Sequence, residues 1–247
     1  MAPSTANIPA ATAARIDVVI PAFNEEASLP FVLAAVPRPP VRRIVVCDNN
    51  STDATAPVAA AGGAVVVSES RAGYGSACLR ALDHLRHNNP PDIVVFLDGA
   101  YSDHPEELPQ LVEPILAGNA DMVIGSRALG DHQPGALLPQ ARAGNLVACL
   151  LIRLLYRHRY TDLGPFRAIR WDRLEQLRMT DPDFGWTAEM QVKALRHGLA
   201  VREVPVSYRK RVGVSKITGT LYGTVMAGYK ILWTVLRYSV RRHEDGQ

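Results

Sequence analysis

The sequence has few cysteines, few aromatic side chains and no long uncharged apolar run. Of its 247 residues, 6% are aromatic and 3 are cysteines, namely Cys47, Cys78 and Cys149. The cysteines are odd in number and form no C-x-x-C pair, which excludes a disulfide framework and fits a reducing compartment. No stretch of roughly 20 apolar residues is free of charge, which argues against a polytopic membrane protein.

The N-terminus also lacks the basic region and apolar core of a secretory signal. Residues 1–14 are small and polar, and we predict that they form a disordered tail. The whole chain is 47% apolar and 21% charged, as is typical of a globular protein, and it is long enough for one large α/β domain. These features together favour a cytoplasmic protein.

Charge is unevenly distributed along the chain. Residues 1–200 contain 18 Lys and Arg against 21 Asp and Glu, whereas residues 201–247 contain 9 against 3. A basic C-terminal segment indicates an anionic partner, either a phosphate-bearing ligand, an anionic membrane surface or a nucleic acid. The alternative is an ordinary solvated face. We expect no nucleic-acid binding, because the segment contains no recognisable nucleic-acid module.

The first half of the chain alternates short β-branched runs with helical patterns. The runs cover residues 16–20, 44–47, 64–67, 93–97 and 122–124. Helices are predicted over 26–36, 52–61, 74–87 and 106–117. Nearly continuous apolar runs are typical of strands buried on both faces of a parallel sheet. The alternation therefore predicts an α/β fold, with an open, mostly parallel sheet and helices on both faces.

The second half is less regular. Helices are predicted over 142–157, 187–197 and 217–240, and strands over 164–169 and 201–206. No internal repeat and no linker divides the chain.

Polar motifs follow the predicted strands, where ligands bind in open α/β sheets. They read VVIPAFNEE (18–26), DNNSTDAT (48–55) and RAGYGSA (71–77). Asn24 is placed either in such a site or as a helix cap. In the second motif, Asp48 is placed to accept hydrogen bonds from a base or ribose, and Ser51, Thr52 and Asp53 are candidates for helix capping. The glycines of the third motif either let a ligand approach a helix N-terminus or form an ordinary turn.

A fourth motif, FLDGAYSDHPEELP (96–109), ends the most apolar predicted strand. Asp98 is a hard-oxygen ligand suited to Mg²⁺ or Mn²⁺ carrying a diphosphate, and Asp103 and His104 lie close enough in sequence to assist. We therefore predict a metal site at Asp98 and Asp103. The alternative, a strand-end aspartate that caps a turn, is weakened by the second aspartate.

The order of these motifs resembles family-2 glycosyltransferases of GT-A fold, within them the dolichol-phosphate mannose synthase-like group. Further matching segments are GSR (125–127), Arg142, Gly144-Asn145, TDLGPFRAIR (161–170) and EVPVSYRKRVGVSK (203–216). The resemblance predicts a GT-A domain over 15–216, with a Rossmann-like sheet. An amphipathic, apolar and basic helix with a tail is expected over 217–247.

The resemblance also implies roles for individual residues. It implies a nucleotide-sugar site formed by Pro21, Asn24, Glu25, Asp48, Arg71, Gly75, Asp98, Arg209, Arg211 and Lys216. It implies that Arg127 and Arg142 hold an acceptor phosphate and that Glu189 faces the sugar. Asp98, Glu189, Arg127 and Arg142 are thus the catalytic candidates.

One position departs from the family pattern. The Asp-x-Asp metal motif has Ala100 in place of its second aspartate, which predicts a weakened Mg²⁺ or Mn²⁺ site. Either Asp103 or His104 compensates, or basic side chains neutralise the leaving group. The rival interpretation is a nucleotide-sugar-binding protein that no longer transfers. A nucleotidyltransferase is disfavoured, because PAFNEE replaces the Gly-rich loop after the first strand.

The resemblance implies an inverting transfer of a sugar from a UDP- or GDP-sugar. A phosphate acceptor is already an anion and needs no strong base, whereas a hydroxyl acceptor needs one, with Glu189, Asp162 and Asp183 as candidates. The apolar helices over 142–157 and 217–240 carry basic residues and aromatics. They favour a polyprenyl-phosphate acceptor and a peripheral position on the inner face of the membrane. Packing in the core or in a dimer is the alternative for these helices.

Overall fold

The computed structural model describes residues 14–213 and 221–240. Residues 1–13 of the tail predicted over 1–14, Lys216, residues 217–220 of the helix predicted over 217–240, and residues 241–247 lie outside the described residues. The strands are β1 (Ile16–Ala22), β2 (Val41–Asp48), β3 (Val65–Ser68), β4 (Ile93–Phe96), β5 (Met122–Ser126), β6 (Arg167–Arg170) and β7 (Val201–Pro205). The helices are α1 (Leu29–Ala35), α2 (Thr55–Ala61), α3 (Tyr74–His87), α4 (Leu108–Leu116), α5 (Pro139–Tyr156), α6 (Trp171–Leu177), α7 (Trp186–Arg196) and α8 (Leu221–Val240). A 3₁₀ turn, Pro105–Glu107, precedes α4.

The seven strands form one sheet in the order β3-β2-β1-β4-β6-β5-β7. Strand β6 runs antiparallel to both of its neighbours, and the other six strands share one direction. All seven residues of β1 and all four of β4 are buried, as expected for central strands covered on both faces. The predicted α/β fold with a mostly parallel sheet is confirmed.

Helices cover both faces of the sheet and build a separate apolar cluster on each. One cluster joins the sheet to α3, α5, α7 and α8 through Leu85, Ile152, Met190 and Val235. The other joins it to α1 and α4 through side chains that include Leu29, Val32 and Leu111. The alternating faces of the buried strands supply both clusters. The C-terminal amphipathic helix, α8, is confirmed and packs against α5 and α7.

A buried charge stabilises the edge of the sheet at which β1 and β2 begin. Asp17 is fully buried and pairs with Arg42 and Arg43 at 2.7 and 2.6 Å. A carboxylate without these partners would be strongly destabilising there. These ion pairs hold β1 against β2 at that edge. The polar motifs lie at the other edge, where the parallel strands end.

Several elements differ from the sequence-based expectation: α1 and α2 begin three residues later than predicted, α5 begins three residues earlier, β6 covers Arg167–Arg170 and not 164–169, and α6 is additional. Helix α6 was not predicted; it begins at Trp171, directly after the last residue of β6, so no turn residues mark the boundary between strand and helix. Helix α1 begins at Leu29 and not at residue 26. The residues before it are engaged with another loop, as described below.

Candidate active site

The loops that follow β1 and β2 are joined by hydrogen bonds. The backbone N–H of Asn24 donates to Ser51 Oγ at 3.0 Å, and that of Glu25 donates to Thr55 Oγ1 at 2.8 Å. In return, Thr52 N–H donates to Asn24 Oδ1 at 2.7 Å. The two polar motifs therefore form one rigid rim at the carboxyl edge of the sheet.

This arrangement corrects one alternative for Asn24. Asn24 adopts a left-handed backbone, with φ of 54°, and Ser28 occupies the position before α1. Its side chain is thus used between loops and does not cap the helix. Asparagine tolerates that conformation because its short polar side chain can form local hydrogen bonds.

Three other residues implied in the nucleotide site lie along the same edge. Pro21 is buried within β1 and pairs with Cys47 of β2. Asp48 ends β2 and is partly exposed, with its carboxylate accepting Ser51 N–H at 3.3 Å. Arg71 is exposed just beyond β3. The edge therefore presents one carboxylate and one exposed guanidinium beside the hydrogen-bonded loops.

The glycines before and within α3 serve a different purpose from the one expected. A Cβ on Gly73 or Gly75 would collide with the backbone carbonyls of Pro182 and Asp181, respectively. The N–H of Ser76 donates to Pro182 O at 2.8 Å. The glycines thus admit another segment of the protein, and that segment covers the helix N-terminus where an anion was considered.

The centre of the edge carries two neighbouring aspartates. Asp98 follows β4 and is partly exposed, whereas Asp103 is buried, with both carboxylate oxygens lacking a hydrogen-bond partner among the described residues. Burial raises the pKa of Asp103 to about 7, and the Asp98 carboxylate adds to the shift. Because the charge of Asp98 acts on Asp103, a cation near both carboxylates would be stabilised.

The donor set fits a divalent cation. No group of three His, Cys, Asp or Glu side chains in residues 14–213 and 221–240 could hold a metal. However, Mg²⁺-type ions are commonly bound by one or two carboxylates together with substrate phosphates and water. Asp98 and the unpartnered oxygens of Asp103 meet that requirement. His104 Nδ1 lies 2.9 Å from Glu106 Oε1, which leaves Nε2 as the ring nitrogen that could reach a ligand.

A segment from the C-terminal basic motif closes over this turn. The N–H of Arg209 donates to Ser102 O at 2.9 Å, and the N–H of Val212 donates to Ala100 O at 3.1 Å. The Arg209 guanidinium stacks on the Tyr101 ring, 3.9 Å from its centroid. Ala100, the substituted position of the metal motif, is completely buried.

Arg211 reaches the first polar motif. Its Nη2 lies 2.9 Å from Glu25 Oε1, and Glu25 is buried. Burial raises the pKa of Asp98, whereas the nearby Arg211 guanidinium opposes this shift. The structure therefore places a permanent cation beside both carboxylates. Lys216, the last basic residue implied in this site, is outside the described residues.

Arg127 completes the cluster from the end of β5. Its Nε and Nη2 bind the two carboxylate oxygens of Asp162 at 2.7 and 2.6 Å, and its backbone N–H adds a third bond at 2.8 Å. The guanidinium lies over the Tyr208 ring. Nη1 has no protein partner among the residues described. A guanidinium held in this two-pronged fashion has a fixed plane.

Arg142 and Glu189 are placed differently from Arg127. Arg142 is exposed on the first turns of α5, and its side chain forms no ion pair with the described residues. Glu189 is completely buried in α7. The expectation that Glu189 faces an open sugar site is not met.

Glu189 fails that expectation because its carboxylate is fully engaged. It accepts hydrogen bonds from Thr180 Oγ1, Asp181 N–H and Tyr238 OH at 2.7–2.8 Å, and it pairs with Lys193 at 2.8 Å. Burial alone would raise the pKa of Glu189, but hydrogen bonds from Lys193 and Tyr238 outweigh it and lower the pKa. Glu189 ties α7 to α8.

Some site residues were not singled out by the sequence analysis. Tyr101 and Tyr208 stack under Arg209 and Arg127. Both lie within quoted motifs, 96–109 and 203–216, but their residue type alone gave them no role there. The sequence predicts for Asp162 the role of a base or a loop cap, whereas in the structure its carboxylate binds Arg127. Its position after a threonine and before an apolar strand carries no signal of a partner 35 residues away.

The fold, together with Asp98, Asp103, Arg127 and Arg211 at the carboxyl edge of the sheet, defines a glycosyltransferase of GT-A type. The chain belongs to glycosyl transferase family 2, whose sequence model matches residues 17–174. It is 41% identical over 215 residues to an uncharacterized glycosyltransferase of Mycobacterium tuberculosis, covering 86% of this chain and 94% of that one. The hexosyltransferase class and the expected family resemblance are thereby confirmed.

Two further similarities concern proteins with named substrates. A polyprenol monophosphomannose synthase of Mycolicibacterium smegmatis is 30% identical over 220 residues, covering 82% of this chain and 81% of that one. A crystal structure of glucosyl-3-phosphoglycerate synthase from Mycobacterium tuberculosis, with Mn²⁺, UDP-glucose and phosphoglyceric acid, gives a TM-score of 0.73 at 26% identity. That match covers 92% of this chain and 80% of the other.

Proposed function

We propose that this hexosyltransferase moves a sugar from a UDP- or GDP-sugar to a polyprenyl phosphate at the inner face of the membrane. The observation that carries the proposal is Arg127, whose guanidinium is held in a fixed plane near Asp98 with Nη1 free. Charged oxygens of a phosphate are the natural partners of such a group.

The donor would lie along the rim made by the first two polar motifs. Asp48 would accept hydrogen bonds from the base, and Asn24 and Glu25 would shape the pocket with Pro21. Arg71 would lie at the outer end of the nucleotide. Gly75 would act indirectly, because it lets the segment around Pro182 close the wall of the site.

The diphosphate would meet the aspartates and the basic segment. Asp98 and Asp103 would hold a divalent cation, which supplies positive charge to the leaving nucleoside diphosphate when bound. Arg211 would turn from Glu25 toward the same phosphates, and Arg209 would hold the covering segment against Tyr101. Lys216 would add a further charge. Negative charge grows on the leaving group in the transition state, so cations placed here would accelerate the transfer.

The acceptor side requires no strong base if the acceptor is a phosphate. Arg127 would hold the phosphate so that one of its oxygens attacks the anomeric carbon as the diphosphate leaves. Arg142 would contact the same phosphate or its neighbours from α5. Of the three candidate bases, Asp162 is engaged with Arg127 and Glu189 with Lys193. Asp183 is partly exposed. The engagement of two of the three supports a phosphate acceptor.

The lipid part of the proposal is supported by two neighbouring helices. Leu146, Leu150 and Leu154 of α5 are 68%, 50% and 69% exposed, and α8 exposes Tyr229 and Trp233. Exposed apolar side chains repeated along a helix mark an interaction surface. Basic residues on the same helices would meet anionic headgroups.

These helices would lie on the membrane and not across it. None of the helices described in residues 14–213 and 221–240 has the length and hydropathy that a membrane span requires. The similarity to the polyprenol monophosphomannose synthase supports the lipid acceptor.

The test is turnover with UDP-glucose and GDP-mannose, each with Mn²⁺ or Mg²⁺, offered a short-chain prenyl monophosphate. We expect prenyl-phosphate hexose from one donor, and a loss of roughly 100-fold or more in Asp98→Asn. Asp172→Asn, a surface carboxylate paired with Arg170, is the matched control and should retain full activity.

A second candidate is transfer to a soluble phosphorylated acid. The similarity to the structure that contains phosphoglyceric acid favours it. Product from phosphoglycerate, with none from prenyl phosphate, would replace the lipid acceptor by a soluble one. Nucleotide binding without transfer to either acceptor would support a binding protein that has lost transfer.

A further inference from the structure

The loop that carries Asp162 is clamped by a residue of α5. Asn145 Nδ2 donates to Thr161 O at 2.9 Å, and Asn145 Oδ1 accepts Leu163 N–H at 2.9 Å. One amide side chain thus holds the backbone on both sides of Asp162. Asn145 directly precedes Leu146, the first of the exposed leucines of α5.

The same loop is held from the sheet and from α7. Glu203 of β7 accepts the N–H groups of Thr161 and Asp162 at 2.9 and 3.1 Å. Gln191 Nε2 donates to Asp162 O at 3.0 Å. Asp162 is 1% exposed. Its position is therefore determined on every side, and its two carboxylate oxygens face Arg127.

We propose that Asn145 and Asp162 are positioning residues that set the orientation of Arg127 for the acceptor phosphate. Asn145 fixes the loop, the loop fixes the Asp162 carboxylate, and the carboxylate fixes the plane of the guanidinium. This inference rests on the proposed function, because it assumes that Arg127 binds the acceptor. It also links the apolar helix α5 directly to the acceptor site.

The physical basis is the geometry of the two parallel hydrogen bonds that join the Arg127 guanidinium to the Asp162 carboxylate. An isolated arginine side chain samples many rotamers, and ordering it on binding costs free energy. Two parallel N–H to carboxylate bonds order Arg127 beforehand and aim Nη1 away from Asp162. Partners of this kind commonly contribute 10–100-fold to the sites that they orient, and small misplacements of a reacting group have similar effects.

The test separates acceptor from donor affinity. The dissociation constant of a water-soluble short-chain prenyl monophosphate is measured by calorimetry, and that of UDP and GDP is measured with Mn²⁺. In Asp162→Asn and in Asn145→Ala, we expect acceptor affinity to fall about tenfold or more. Nucleotide affinity should stay within about twofold, because the donor rim is untouched. If Asp162 and Asn145 only stabilised the fold, the variants would bind both the acceptor and the nucleotide less tightly.

A double-mutant cycle shows whether Asp162 acts through Arg127. We expect Arg127→Gln to lower the affinity for the acceptor. We expect the double variant Arg127→Gln with Asp162→Asn to bind the acceptor as tightly as Arg127→Gln alone. Additive losses would overturn the relay. Asp172→Asn and Asn119→Ala, which change surface residues of the same types, should leave both affinities unchanged.

A milder variant guards against loss of folding. Asn145→Asp keeps the acceptor for Leu163 N–H and removes the donor to Thr161 O, and its thermal unfolding is compared with that of the wild type. If Asn145→Asp folds and its acceptor affinity is unchanged, the positioning role of Asn145 is wrong, whereas the proposed acceptor site is not affected. A wild-type protein that binds nucleotide but neither prenyl phosphate nor phosphoglycerate would overturn the proposed acceptor site itself, and the relay with it.

Discussion

The backbone N–H of Val212 donates a hydrogen bond to the carbonyl oxygen of Ala100, with 3.1 Å between the two atoms. The basic segment and the altered metal motif are thus in direct contact. Ala100 is completely buried beneath that segment. An aspartate could not occupy position 100 in this arrangement without burying its charge. The missing carboxylate and the closed segment are therefore parts of one local structure.

Ala100→Asp is expected to lower stability in the presence of a chelator. A buried carboxylate without a designed partner costs on the order of 3 kcal/mol of unfolding free energy. Urea unfolding with EDTA measures the change, and Ala100→Asn is the uncharged control of the same size. Unchanged or increased stability of Ala100→Asp would show that the segment does not seal position 100.

Glu189→Gln is expected to destabilise the protein at neutral pH but not in acid. Hydrogen bonds to Glu189 lower its pKa, so its contribution is complete above the ordinary pKa of a glutamate and is lost as the pH falls through the lowered value. At pH 7 we expect a loss of about 1–3 kcal/mol.

Melting temperatures of the variant and the wild type are measured from pH 7 down to pH 3. The difference between them should shrink as the pH falls. Glu113→Gln, on an exposed position of α4, should show no such pH dependence. If Glu189→Gln abolished turnover without lowering stability, a catalytic role would replace the structural one.

Two glycines offer a matched comparison. Gly75→Ala should destabilise the protein by about 1–3 kcal/mol, because its Cβ would meet the Asp181 carbonyl and neighbouring backbone that cannot move freely. Gly144→Ala should stabilise it by roughly 0.5–1 kcal/mol, because nothing lies within 4 Å of that Cβ and alanine favours a helix. Chemical denaturation measures both. Equal effects would mean that the segment around Pro182 does not press on α3.

The membrane surface is tested by sedimentation with vesicles. The wild type should bind vesicles of phosphatidylglycerol and phosphatidylcholine more strongly than vesicles of phosphatidylcholine alone. Leu150→Ser with Leu154→Ser should weaken binding about tenfold or more, because two apolar side chains are lost from the contact.

Leu116→Ser is the matched control for the vesicle experiment. Leu116 is also exposed, at 47%, but it lies on α4, away from the two proposed membrane helices. Vesicle binding that is unaffected by the α5 changes would assign the apolar face to another partner, such as a second copy of the chain.

Much of the fold could be read from local patterns. The five β-branched runs of the first half became β1 to β5, and the helical periods between them became α1 to α4 with small shifts at their ends. Periodicity works here because central strands are buried on both faces and helices on one. Helix α6 was missed, since it follows β6 directly and no Gly, Pro or other turn signal separates the two.

The carboxyl edge was also predictable, because parallel strands end together and polar residues follow each of them. The sequence by itself determined that Asp48 and Asp98 would lie along one edge, and that Ala100 removes a carboxylate from it.

Only the tertiary structure decided which side chains pair across that edge. Arg127 meets Asp162, Arg211 meets Glu25, and Glu189 turns into the contact between α7 and α8. These partners come from loops far apart in the chain, and their meeting depends on the register of the sheet and on loop conformation. Burial then selects the pairs, because a charge removed from water is stable only beside a partner that compensates it.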